Sequence, residues 1–278
     1  MKTTNKFLTL ALMAVAMVFA SCSKDDDDIN NGKVQQTAVN SEAMYQVATL
    51  QSLMIGNYDG FISVGELRKY GNIGLGTFDA VDGEMIVLDG IVYQARYDGS
   101  VRVADDALGV PFATVTTFDA DVTQSLDKVE SMEQLTKQLT DIVEKNGKNL
   151  IYAVRIDVDN CESILVRSEL PQTKPYRPLA EALATDQREF TYQNISGTIV
   201  AVYFPSFFTA QNTPGWHCHF ISADRTKGGH MLNIKTTASS KAQFDTTLYY
   251  NMYMPSAGAF ANSDLDKDLS EDIEKVEK

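Results

Sequence analysis

This chain of 278 residues has little histidine, cysteine or tryptophan: three, three and one of each. So few cysteines exclude a small disulfide-stapled scaffold. Cys22 falls in the leader, which leaves Cys161 and Cys218 for the folded part. An oxidising compartment would allow one disulfide between them, but nothing in the pattern asks for it. Positive charge is also short, with 24 Lys and Arg against 37 Asp and Glu and a formal net charge of −13. A chain of that sign repels a phosphate backbone, so nucleic acid is not an expected partner. The sequence contains no G-x-G-x-x-G, no P-loop pattern and no G-x-S-x-G, so the usual signals for dinucleotides, nucleoside triphosphates and a serine elbow are missing. No repeat at a solenoid period appears either.

The one long apolar run, FLTLALMAVAMVFA, follows Lys2 and Lys6 and is too short for a comfortable membrane span. It has the layout of an export leader. Phe19-Ala20-Ser21-Cys22 resembles a bacterial lipobox, whose cysteine is lipidated after cleavage. The expected organisation is therefore a lipoprotein signal peptide over 1–21, a lipid-anchored Cys22 opening an acidic tether over 22–42, and a folded domain over 43–278. Such a chain would be exported and held to a bacterial membrane on its periplasmic or cell-surface side.

Beyond the tether the pattern predicts an α+β fold, predominantly β, with mixed sheets and a few short helices. SVGELRKYG carries Ser63 three residues before Glu66, a capping box, with Gly71 as the stop. Asp-Gly pairs at 82–83, 89–90 and 98–99 sit between β-rich runs and predict a meander of hairpins. SMEQLTKQLTDIVEKNGKN reads as an amphipathic helix with Met132, Leu135, Leu139 and Ile142 on one face. Further strands are expected at LIYAVRIDV, SILVRSEL, ISGTIVAVYFP, WHCHFIS, HMLNIKT and QFDTTLYYNMY, and a last helix at DLSEDIEKVEK. PQTKPYRPL reads as an irregular crossing.

All three histidines fall within GWHCHFISADRTKGGH, residues 215–230. In a strand, alternate residues share a face, so His217 and His219 point together and Cys218 points away. The polar, glycine-containing stretch before His230 suits a turn that returns a neighbouring strand beside the first. Three imidazoles on adjacent strands can hold one metal ion and leave a position open for substrate. Zinc fits best, with manganese, iron, nickel and copper as alternatives. Asp224 offers a carboxylate to orient a ring N–H.

GWHCHFISADRTKGGHML resembles the metal-binding segment of the α-acetolactate decarboxylases, Gly-aromatic-His-x-His-Phe followed by Asp-x-Thr-x-Gly-Gly-His. The resemblance extends to YDGFISVGELRKYGNIGLGTFDAVDGEMIVLDGIVYQARYDGSVR, to VRSELPQTKPYRPL and to DLSEDIEKVE, in order over about residues 43–277. It implies conversion of 2-acetolactate to acetoin and CO₂ through a metal-stabilised enediolate. The implied ligands of a zinc ion are His217, His219 and His230, and the implied catalytic groups are Arg167, Glu84 and Glu277, with Glu274 as the alternative in the tail. A homodimer is suggested by the family alone. Cys218 departs from the aliphatic residue common between the two histidines, on the face away from the metal. Two rival functions remain open: another three-histidine metalloenzyme such as a hydratase or hydrolase, and a non-catalytic ligand-binding surface lipoprotein of the same fold.

Overall fold

A computed structural model of the chain describes residues 40–277. The expected leader over 1–21, the lipidated Cys22 and the tether up to residue 39 lie outside the described residues. Among the described residues no helix is long and apolar enough to cross a membrane.

In chain order the first half forms β1 (Ala43–Val47), α1 (Leu50–Met54), β2 (Ile62–Ser63), α2 (Val64–Leu67), β3 (Ile73–Thr77), β4 (Glu84–Leu88), β5 (Ile91–Ala95), β6 (Val101–Val103), β7 (Gly109–Val110), β8 (Phe112–Thr116) and β9 (Val122–Leu126). The second half forms α3 (Met132–Asn146), β10 (Ile151–Glu169), α4 (Leu179–Asp186), β11 (Gln187–Phe204), β12 (Gly215–Ser222), β13 (Gly228–Thr236), β14 (Ser240–Thr247), β15 (Tyr249–Tyr253), α5 (Gly258–Asn262) and α6 (Ser270–Glu277). Strands dominate and the helices are short, as the pattern predicts.

One sheet has seven strands in the order β15-β1-β8-β3-β4-β5-β6. Asp89-Gly90 makes the two-residue hairpin expected of it: Leu88 pairs with Ile91, and φ is 53° and 77° at the two turn residues, the left-handed pair that an Asp-Gly turn supplies. Asp98-Gly99 closes a slightly longer loop between β5 and β6. Asp82-Gly83 does not make a tight hairpin. Thr77 pairs with Glu84, and a 3₁₀ turn over Asp79–Val81 fills the connection.

The second sheet curls on itself. LIYAVRIDV and SILVRSEL, expected as two strands, are one strand, β10, whose register with β11 shifts between Val158 and Cys161. A bulge of this kind bends a strand without ending it. The C-terminal half of β10 pairs with β13 and its N-terminal half with β14, while β11 pairs along both halves and continues onto β12. The β12–β13 hairpin then closes a ring of strands. QFDTTLYYNMY, expected as one strand, breaks at Leu248 into β14 of this sheet and β15 of the other, where β15 runs parallel to β1.

Two apolar layers follow from strand alternation. Ile221 on the histidine face packs with Ile86, Leu88, Val200 and Phe204 between the sheets. Cys218 and Phe220 face the other way, beneath Leu135, Leu139 and Val143 of α3. Those three residues recur at helical spacing and form the buried stripe. Met132 and Ile142, expected on it, lie at its margin, only partly buried. Ser131 caps the helix by accepting from the Gln134 N–H, and Gly147 ends it. A third cluster joins α1, α4 and α6 through Leu50, Leu53, Leu179, Leu183, Ile273 and Val276, and it covers one end of the inter-sheet layer.

Asp245 on β14 is buried among Asp119, Asp121 and Glu42. Burial, with those negative charges adding to it, pushes its carboxyl up to about 7. The unfolded chain releases this proton near pH 4 and the folded chain near pH 7, so the folded state loses stability as the pH rises across that window. An Asp245→Asn variant should melt several degrees above the parent at pH 8 and close to it at pH 4, read from thermal unfolding at both pH values.

Candidate active site

Alternation on β12 puts His217 and His219 on the face toward the seven-stranded sheet. The β12–β13 register sets His219 opposite His230, and the β13–β10 register sets His230 opposite Arg167. One row across three strands therefore carries an imidazole, a second imidazole and a guanidinium, with His217 two residues along from the first. The paired glycines before His230 let the strands approach this closely. A Cβ on Gly228 would stand 2.7 Å from the Phe220 carbonyl oxygen, and one on Gly229, where φ is 148°, 2.5 Å from that of Arg167.

The three rings converge. His217 Nε2 lies 3.0 Å from His219 Nε2 and 3.1 Å from His230 Nδ1, and all three rings are buried. The opposite nitrogens face acceptors. His219 Nδ1–H donates to the Met85 carbonyl at 2.8 Å. His217 Nδ1 lies 3.2 Å from Glu277 Oε2, but the two make no hydrogen bond and neither atom has a hydrogen-bond partner. The Glu277 backbone hydrogen-bonds the His230 ring. At His219 and His230 the outward nitrogen thus carries the proton and the inward one presents a lone pair. Burial, reinforced by the nearby Arg167 charge, holds His217 down to about 3 and pushes His219 and His230 well below the ordinary histidine range, so the rings are neutral near pH 7.

Around them stand Glu84 at the start of β4, Glu169 at the end of β10 and Glu277 at the end of α6, with Arg167 among them. Glu84 Oε2 is 3.2 Å from His219 Nε2, and its Oε1 is 3.7 Å from Arg167 Nη1. Arg167 Nη1 donates to Glu169, and Nη2 to the Val276 carbonyl at 2.7 Å. Glu84 is pushed well above the usual carboxylate range by burial and by Glu169, with Arg167 opposing; burial raises Glu277 as well. A cavity of about 30 Å³ reaches Glu84, Arg167, Glu169, His217, His230 and Glu277 on its polar side. Leu50, Val81, Phe112, Leu179 and Val276 form its apolar wall.

These residues fit a metal ion. Three neutral imidazole lone pairs aimed at one another repel unless a cation lies among them, and the ligand atoms all lie within 4.8 Å of one another. If ionised, the three buried carboxyls face a single guanidinium, and a divalent cation supplies the missing positive charge.

Every residue expected at the site is therefore brought together: His217, His219, His230, Arg167, Glu84 and Glu277. Glu274, the alternative in the tail, is exposed and lies on a neighbouring groove. Asp224 does not orient a ring. Its carboxylate accepts from Ser222 and Thr226 and shapes the β12–β13 turn, because the strand carries it past the rings. Cys161 and Cys218 are free, buried thiols in the layer beneath α3. Glu169 was not anticipated, although VRSEL places it on the same strand face as Arg167. The Met85 and Val276 carbonyls leave no trace in sequence.

A buried centre of three imidazoles, backed by carboxyls and one guanidinium between two β-sheets, could hold one metal ion beside a small ligand. The chain belongs to the alpha-acetolactate decarboxylase family, whose sequence pattern matches residues 44–267. It is 40% identical to an alpha-acetolactate decarboxylase of Methanosarcina mazei over 240 residues, 86% of this chain and 81% of that protein. It is 37% identical to the Methylococcus capsulatus protein of the same name over 84% of this chain and 88% of the other. The crystal structure of alpha-acetolactate decarboxylase from Bacillus subtilis superposes with a TM-score of 0.80 at 34% identity, covering 84% of this chain and 99% of that one.

The purified chain should take up one equivalent of a divalent transition metal. His219→Ala should abolish that stoichiometric uptake, as read by metal analysis after gel filtration.

Proposed function

We propose that this chain decarboxylates 2-acetolactate to acetoin and CO₂. The observation that carries the reading is the cavity at which His217, His230, the Arg167 guanidinium and the raised Glu84 carboxyl meet beside the third imidazole, His219, in a chain of this family.

When the substrate loses CO₂, the bonding pair stays on the carbon and moves into the adjacent carbonyl, giving an enediolate. One proton must then be delivered to that carbon. Arg167 binds the substrate carboxylate through paired, charge-assisted hydrogen bonds and sets the breaking bond against the carbonyl π system. It stays cationic throughout. His217, His219 and His230 would hold a divalent cation, zinc by the preference of such donor sets, which would supply a Lewis acid where negative charge develops.

Glu84 lies on the inward side of the rings, with its carboxyl held well above the usual carboxylate range by burial and by Glu169, and we assign it as the acid that reaches the enediolate carbon. Glu277 faces the outward nitrogen of His217. The apolar wall keeps bulk water from the carbanion.

Export and lipid anchoring through Cys22 belong to the same proposal and rest on the leader pattern alone. The hydratase, hydrolase and non-catalytic alternatives find no specific support in the site. The homodimer is also a proposal, resting on family likeness.

Acetoin release from racemic 2-acetolactate by the metal-replete chain, abolished by a chelator and restored by zinc, tests the activity; no acetoin from the replete protein would overturn it. Arg167→Ala should lower kcat/KM by about 10²-fold or more. Glu84→Gln should lower kcat by about 10²- to 10⁴-fold. Because the donor must be protonated, the parent's kcat should fall as the pH rises through the raised Glu84 value. Glu84→Gln should lose that alkaline limb in a kcat–pH profile.

A further inference from the structure

We infer that Glu169 is a positioning residue for Arg167, holding the guanidinium in the orientation that receives the substrate carboxylate. The inference rests on the reading of Arg167 given above. Residues 167 and 169 are two apart on β10, so both side chains leave the same face of the strand, and each is 4% exposed. Glu169 accepts from Nη1 and the Val276 carbonyl accepts from Nη2, so the guanidinium is gripped at both terminal nitrogens, by its own strand and by α6. These contacts use one donor on each nitrogen and leave the rest of the fork for an incoming carboxylate.

A second negative group beside Arg167 explains what would otherwise be an expensive burial. The other carboxylate in reach is Glu84, whose Oε1 stands 3.7 Å from the same Nη1. An apolar side chain at position 169 would free that nitrogen. The guanidinium would then turn to the nearest remaining acceptor, the Glu84 carboxyl, and close the space between them, because a buried cation left without a partner is costly. Glu169 already takes Nη1 as a hydrogen-bond acceptor, and Glu84 stands farther from that nitrogen, at 3.7 Å, and beside His219. Glu169 also lies against the Glu84 carboxyl and helps to hold it well above the usual carboxylate range.

Double-mutant analysis in the full chain tests this. Glu169→Gln should lower kcat/KM by about 10- to 100-fold and weaken binding of 2-hydroxy-2-methylbutanoate, which lacks the keto group and cannot lose CO₂, by a similar factor. Metal stoichiometry should stay at the parent value. In an Arg167→Ala background, the same change should have no further effect beyond about twofold, because a residue that acts through Arg167 has nothing left to orient. Glu169→Asp, which keeps the charge but retracts it by one methylene, should show the same loss and the same silence in that background, and it carries the comparison should Glu169→Gln not fold. Parent-like activity and analogue binding in the folded single variants would overturn the proposal. So would a loss that multiplies independently in the Arg167→Ala background. Full activity of Arg167→Ala itself, with Glu169 intact, would instead overturn the role assigned to Arg167 and remove the basis of this one.

Discussion

Three neutral imidazoles pointed at one another inside a protein are unfavourable by themselves, and most of the surrounding structure serves to keep them so. The β12–β13 register places His219 opposite His230, the glycine pair removes the side chains that would separate the strands, and the Met85 and Glu277 backbone carbonyls take the outward protons of His219 and His230. The result is a set of lone pairs with one shared focus. Such a set has a use only when a cation occupies the focus, which is why donor chemistry, burial and tautomer all point the same way.

Charge in the cavity is organised around that focus. Arg167, Glu84, Glu169 and Glu277 come from two sheets and the C-terminal helix, and every one of them is nearly out of contact with solvent. Low dielectric makes each pairing matter: the guanidinium is committed to Glu169 and to a helix-end carbonyl, while Glu84 remains beside a ring nitrogen. α6 closes this arrangement. It lies beyond residue 267, where the family pattern ends, yet it brings both Glu277 and the Val276 carbonyl to the centre. Its hold on the body is the packing of Ile273 and Val276 against α1 and α4.

Local chemistry was legible where it decides the outcome locally. The Asp89-Gly90 turn and the cap-to-glycine span of α3 follow from turn geometry and helix periodicity, and the shared face of His217 and His219 follows from strand alternation. Legibility failed where partners distant in sequence decide. The break at Leu248 depends on which sheet each half of QFDTTLYYNMY can join, and the continuity of β10 depends on β11 running beside it through the bulge. Asp224 looked like a ring partner by proximity in sequence, but its strand carries it beyond the rings into the turn.

The sequence by itself determined that the three histidines belong to two adjacent strands with two of them on one face, because alternation and turn chemistry act over a few residues. Its resemblance to a known family added which arginine and glutamates to place beside them. The tertiary structure alone decided which ring nitrogens face inward, that Glu277 rather than Glu274 reaches the rings, and that a third carboxylate, Glu169, restrains Arg167. Those outcomes depend on ångström-scale distances between groups up to about two hundred residues apart in the chain. Only the packing of two sheets and the last helix sets such distances.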